Sequence, residues 1–105
     1  MMNFGQAVEA LKDGKCVARR IWLGTDNLFI FKQIPAEIGK DIVPKMQSVP
    51  ESAKKQFQGT FENESLEINS IYYSSQIAIV GLSNVIHSYS ASAQDIFSED
   101  WYIYE

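Results

Sequence analysis

Both ends of the chain carry the same arrangement, a capped helical turn running into a strand with a tryptophan near the junction. This constrains the fold more than any other feature. At the first end Asn3 can cap a helix, Gln6 is placed to reach back in a capping box, and Gly14 supplies a left-handed exit. Phe4, Ala7, Val8 and Leu11 recur at helical spacing, which predicts a helix over residues 3–13 with one apolar stripe. Residues 15–22 then read as a strand with Cys16, Ala18 and Arg20 on one face and Val17, Arg19 and Ile21 on the other, ending at Trp22. At the other end Ser92 caps a short helix, Asp95 follows three residues on, and residues 101–104 close the chain as a strand that opens with Trp101.

Between the ends, residues 24–27 read as a turn and residues 28–34 as a strand apolar on both faces. A strand without a polar face is covered on both sides, here by a helix and by a partner subunit. Residues 35–47 read as irregular because Pro35, Gly39 and Pro44 interrupt any period. Ser48 and Glu51 have capping-box spacing, with a helix running to about Phe57, and the polar residues 58–69 read as a surface excursion. Residues 71–82 carry the strongest β signal, and a tight connection at Ser83-Asn84 leads to residues 85–89 as a hairpin partner. The expected architecture is α+β: an N-terminal helix, a mostly antiparallel sheet of about five strands and two further short helices, in a single domain over residues 1–105.

Size permits this. A chain of 105 residues with 46% apolar content hides roughly two thirds of its unfolded surface, enough for its own core. A signal-peptide pattern and a bilayer-length apolar run are both absent, and the single Cys16 suits a reducing compartment, so a cytoplasmic location away from membranes is expected. A net charge of −4 argues against a broad grip on a nucleic acid polymer, although a small anion held by local donors is compatible with it. Six Phe, five Tyr and two Trp exceed what a minimal core needs, so some are expected at a surface or interface.

Catalytic signatures are missing. His87 stands in an alternating strand without a serine or cysteine motif and reads as a structural or surface histidine. Cys16 reads as an inert thiol, and one Cys with one His cannot assemble the usual zinc sets. No phosphate-gripping glycine loop occurs, and the acidic pairs Glu62/Glu64 and Glu99/Asp100 read as solvated carboxylates. No metal or cofactor is expected. What remains suits recognition by a binding module. Arg19 or Arg20 can fork onto phosphate oxygens or close a surface ion pair. Trp22, at a strand end beside a turn, can stack on a flat base or pack inside, and its position favours stacking. The helix starts at Asn3, Ser48 and Ser92 can hold an anion, though capping is their ordinary task. Trp101 reads as a core or interface anchor.

The opening, a helix of the type Asn-Phe-Gly-x-Ala followed by Val17-Ala18-Arg19-x-x-Trp22, resembles the small phage and bacterial domain named for anti-Thoeris defence, the second type of Thoeris anti-defence protein. The ending, with Ser92, Asp95 and Ser98-Glu99-Asp100-Trp101, is similar to that family's Ser, Asp and Ala-x-Asp-Trp, and residues 46–55 look like its longer members. The chain departs from the pattern at Ile21 and Leu23-Gly24, where the family has Gly before the tryptophan and Asn-Gly after it. It departs again at Tyr89 and Ala91, where the family tends to carry Trp and Pro.

The resemblance implies a molecular sponge: a homo-oligomer, dimer or tetramer, that holds cyclic nucleotide immune signals in pockets formed between subunits and leaves them uncleaved. The signals are glycocyclic ADP-ribose species and, for some members, cyclic dinucleotides. The consequence would be inhibition of Thoeris or CBASS-type immunity. On that reading Trp22 and Tyr89 stack on the ligand, Arg19 or Arg20 contacts phosphate, and Asn27, Ser92 and Asp95 read ribose or base. The alternative is a protein–protein inhibitor module that covers a host defence enzyme with an acidic, aromatic surface. A phosphodiesterase of the same signals ranks third, lacking metal ligands or histidine pairs.

Overall fold

A computed structural model describes residues 1–105, which form two compact units: Met1–Ile34 with Ser75–Glu105, and Pro35–Ser74. The first unit opens with α1 (Phe4–Lys12). Asn3 Oδ1 accepts from the Gln6 N–H and Gln6 Oε1 accepts from the Asn3 N–H, each at 2.9 Å, so the expected capping box is formed. At the far end the Lys15 N–H reaches the Ala10 carbonyl and the Gly14 N–H the Leu11 carbonyl, both at 3.0 Å. This is the Schellman pattern, and it requires the left-handed φ of +85° that Gly14 adopts.

Five strands follow in this unit: β1 (Cys16–Arg19), β2 (Asn27–Gln33), β5 (Gln76–Gly81), β6 (Ile86–Ser88) and β7 (Trp101–Tyr104). They form one antiparallel sheet in the order β6-β5-β2-β1-β7. The short helix α3 (Ala93–Phe97) precedes β7. The mixed α+β class and the five-stranded sheet are as the sequence predicts. The core is the α1 stripe of Ala7, Ala10 and Leu11 packed with Val17, Ala18, Ile30, Trp22 and Trp101. Only Ile30 of β2 is fully buried, and Leu28, Phe29 and Phe31 are half-buried.

The first strand stops at Arg19, three residues short of the expected end. Residues Arg20–Trp22 form a 3-10 turn because their backbone donors find other partners: Arg20 N–H bonds the Asp100 carbonyl at 3.0 Å and Leu23 N–H bonds the Arg20 carbonyl at 3.1 Å. Arg19 and Arg20 are therefore not set on opposite faces by a strand pleat. The hairpin between β5 and β6 uses a three-residue loop, with Gly81 N–H bonded to the Val85 carbonyl at 3.0 Å and Asn84 left-handed at φ 61°.

The second unit departs more from expectation. Residues 71–82 are not one strand. They break at Ser74-Ser75 into β5 and into β4 (Ser70–Tyr73), which pairs antiparallel with β3 (Ala36–Gly39) in a separate two-stranded sheet. The segment 35–47 is thus not irregular throughout, since it supplies β3 and a 3-10 turn at Val43–Lys45. Helix α2 (Glu51–Glu62) takes Pro50 as its N-cap with no side-chain bond, so the Ser48 capping box does not form. Its polar, strongly helix-forming C-terminal half continues past Phe57 and absorbs the first part of the expected surface excursion. Val43 is the one fully buried apolar side chain of this unit.

Candidate functional site

Arg19 ends β1 with only 6% of its surface exposed, a position that a charge can occupy only when paired. Its Nη1 donates to Asp95 Oδ1 at 2.8 Å and its Nε to Asp100 Oδ1 at 2.9 Å, so one guanidinium forks across two carboxylates from the far end of the chain. Asp95 Oδ2 accepts the Tyr89 hydroxyl at 2.8 Å, Asp100 Oδ2 accepts the Ile21 N–H at 3.2 Å, and the Ser92 hydroxyl accepts the Asp95 N–H at 3.1 Å as the cap of α3. Trp101 Nε1 donates to the Asp95 carbonyl at 3.0 Å. No buried side-chain nitrogen or oxygen lacks a partner.

These contacts set the protonation states. Burial opposes the charge on Arg19, but the hydrogen bonds to Asp100 and Asp95 and their charges more than offset it, and the guanidinium is held cationic. Burial also pushes the Asp100 carboxyl up, yet the Arg19 hydrogen bond, the Ile21 N–H and the Arg19 charge outweigh it and leave Asp100 below the usual carboxylate range. The Tyr89 phenol is pushed far above its ordinary value, first by burial and then by donating to the anionic Asp95.

Trp22 adjoins this cluster. It is 8% exposed and meets Trp101 edge-to-face at 5.4 Å and Tyr89 at 6.2 Å between ring centroids. It also borders a cleft of about 280 Å³, shared with Thr25, Asn27, Leu82, Tyr102 and Tyr104 among others. The floor follows from local chemistry: Gly24 at φ +81° lets the chain turn after Trp22, and Thr25 Oγ1 closes onto the Trp22 carbonyl at 2.7 Å while accepting the Asn27 N–H at 3.2 Å. Tyr104 stacks on Phe29 with centroids 4.6 Å apart.

Of the residues expected to meet a ligand, the fold joins Arg19, Tyr89, Ser92 and Asp95 in one cluster, and brings Trp22 and Asn27 to the neighbouring cleft. Arg20 is exposed and has no side-chain bond. Ser92 and Asn3 are engaged as helix caps. Asp100, which the sequence suggests is merely solvated, is a half-buried partner of Arg19, while its neighbour Glu99 is exposed. Sequence reasoning also missed Thr25, Tyr102 and Tyr104. Their signals were a hydroxyl inside the turn and two tyrosines spaced two apart on one strand, hence on one face. No group of three His, Cys, Asp or Glu side chains comes together to hold a metal ion.

Fold and site define the class: a small mixed α+β protein built on an antiparallel sheet, with an aromatic cleft beside an internally paired ion cluster. The chain belongs to the Thoeris anti-defense 2-like domain family, whose model matches residues 2–104. Its role is therefore anti-defence. No curated protein sequence matches the chain. No helix is long and apolar enough to cross a membrane.

Proposed function

We propose that the protein sequesters a cyclic nucleotide immune signal, a glycocyclic ADP-ribose or a cyclic dinucleotide, and holds it without cleavage, thereby blunting Thoeris or CBASS-type immunity. The observation that carries this reading is the cleft beside Trp22: aromatic walls from Tyr102 and Tyr104 suit a base, and the exposed Asn27 side chain offers hydrogen bonds at its edge. The nearby acid, base and hydroxyl groups support holding over cutting. Arg19, Asp95, Asp100 and Tyr89 are paired with one another, and Tyr89 is kept protonated, which makes it a poor nucleophile or base.

Size supports an assembly. At about 280 Å³ the cleft of one chain lies at the lower bound for small-molecule sites, roughly 300–1,000 Å³. A cyclic dinucleotide or ADP-ribose derivative needs more enclosure, which a second subunit can provide. Cytoplasmic residence follows from the same role, since the signals act there.

The test is recovery. Glycocyclic ADP-ribose incubated with excess protein should vanish from the free pool and return chemically intact when the protein is heat-denatured. Return of a hydrolysed product overturns the reading, as does an undiminished free pool for every cyclic nucleotide tried.

A further inference from the structure

A recess of about 260 Å³ opens where the last turn of α1 meets β2 and β5, and it shares no residue with the cleft beside Trp22. Its apolar wall is aliphatic: Val8 and Leu11 come from the helix stripe and Ile77 from the start of β5, beside the stems of Lys12 and Lys32. The pleat places them together. Lys32 lies two residues from the fully buried Ile30 and pairs in register with Ile77, so it stands on the face that α1 covers. The helix packs over β1, β2 and β7, and Ile77 on the neighbouring strand stays half-buried.

Charge selects the occupant. Two ammonium groups line the recess and no Asp or Glu does, although the chain carries −4 overall. Lys32 takes part in no salt bridge. It does not guard a sheet edge either, because β2 lies between β1 and β5. Lys12 meets Glu9 at 3.3 Å in an exposed pair of the kind that contributes little and yields to a better acceptor.

Shape narrows the choice. No aromatic ring lines the recess, so a base would find nothing to stack on, whereas Val8, Leu11 and Ile77 suit an alkyl chain. An apolar cavity of about 150 Å³ holds benzene, so this recess has room for roughly ten carbons. We propose that it binds a medium-chain carboxylate, with the head held by Lys12 and Lys32 and the chain laid against Val8, Leu11 and Ile77. The site goes beyond signal sequestration and does not depend on it.

Calorimetric titration of the full chain with decanoate, below its micelle concentration, tests the proposal. Wild type should bind decanoate and should not bind decyltrimethylammonium, which has the same chain and the opposite charge. Lys32→Glu, at an exposed position, should weaken decanoate binding about tenfold or more with an unchanged circular dichroism spectrum. Val8→Trp, which fills the recess, should abolish binding, and Lys32→Glu covers the case in which that variant does not fold. Binding to phosphatidylglycerol vesicles without binding of free decanoate overturns the proposal, as does equal affinity for the cationic analogue or in Lys32→Glu. Glycocyclic ADP-ribose should bind equally well, or fail equally, with and without decanoate. Competition between the two would put decanoate in the Trp22 cleft and overturn the separate site, while failure of the signal alone removes sequestration and leaves this site standing.

Discussion

Arg19 and Asp100, distant in sequence, meet through a 2.9 Å bond from Nε to Oδ1, and the second Asp100 oxygen holds the Ile21 N–H at 3.2 Å. One carboxylate therefore both neutralises the buried guanidinium and anchors the 3-10 turn that delivers Trp22 to the cleft. The cluster is structural first, and it controls the site through the turn.

Removing that carboxylate is expected to be costly. Asp100→Ala leaves Arg19 with Asp95 alone and releases the turn, and should lower unfolding stability by about 2 kcal/mol in urea. Asp100→Asn preserves the shape and one acceptor and should cost less.

Acid should act through the same pair. Asp100 is held below the usual carboxylate range, so its contribution is fully present above that range and is lost as pH falls through the lowered value. Urea midpoints measured from pH 6 downward should fall more steeply for wild type than for Asp100→Asn. Equal slopes would show that the Arg19–Asp100 pair is not the source.

Alkali should act through Tyr89. Its phenol ionises far above the ordinary value near pH 10, so the associated stability is intact below that pH and is lost as pH rises toward the folded value. A spectrophotometric titration of wild type beside Tyr89→Phe should show that the phenol by which the two differ ionises above the ordinary range in the folded protein and within it once the chain is unfolded.

Trp22→Ala removes a side chain packed on Trp101 and Tyr89, and is expected to cost about 3 kcal/mol or more of stability, measured by thermal and urea unfolding. It is consequently a poor probe of stacking. Asn27→Ala changes an exposed side chain at the cleft edge and should leave the melting temperature within a degree or two while weakening signal binding about tenfold, near 1.4 kcal/mol by calorimetry.

Gly24→Ala tests the turn. A methyl group meets nothing within 4 Å there, so any loss arises from the φ of +81° and should be about 1 kcal/mol. A larger loss would mean that the turn moves as well.

The chain encodes its local elements plainly. Asn3, Gln6 and Gly14 specify both ends of α1 because caps and left-handed exits involve only neighbouring residues, and Ser92 starts α3 for the same reason. The β character of residues 76–81 and 101–104 is equally visible in their apolar runs. Pairing was less legible. Nothing local separates β4 from β5, because assignment to one sheet or another depends on which strand arrives alongside. The capping pattern at Ser48 likewise yielded to a frame set by Pro50.

By itself, then, the sequence determined the α+β class, the helix ends and the residue types from which a site could be built. Only the tertiary structure decided that Arg19 is spent on Asp95 and Asp100, that Trp22 lies between the ion cluster and the cleft, and that Tyr102 and Tyr104 form its wall. The physical reason is range. Caps and turns are closed by backbone groups a few bonds away, whereas a buried charge must find its counter-charge wherever the fold brings one, here across most of the chain.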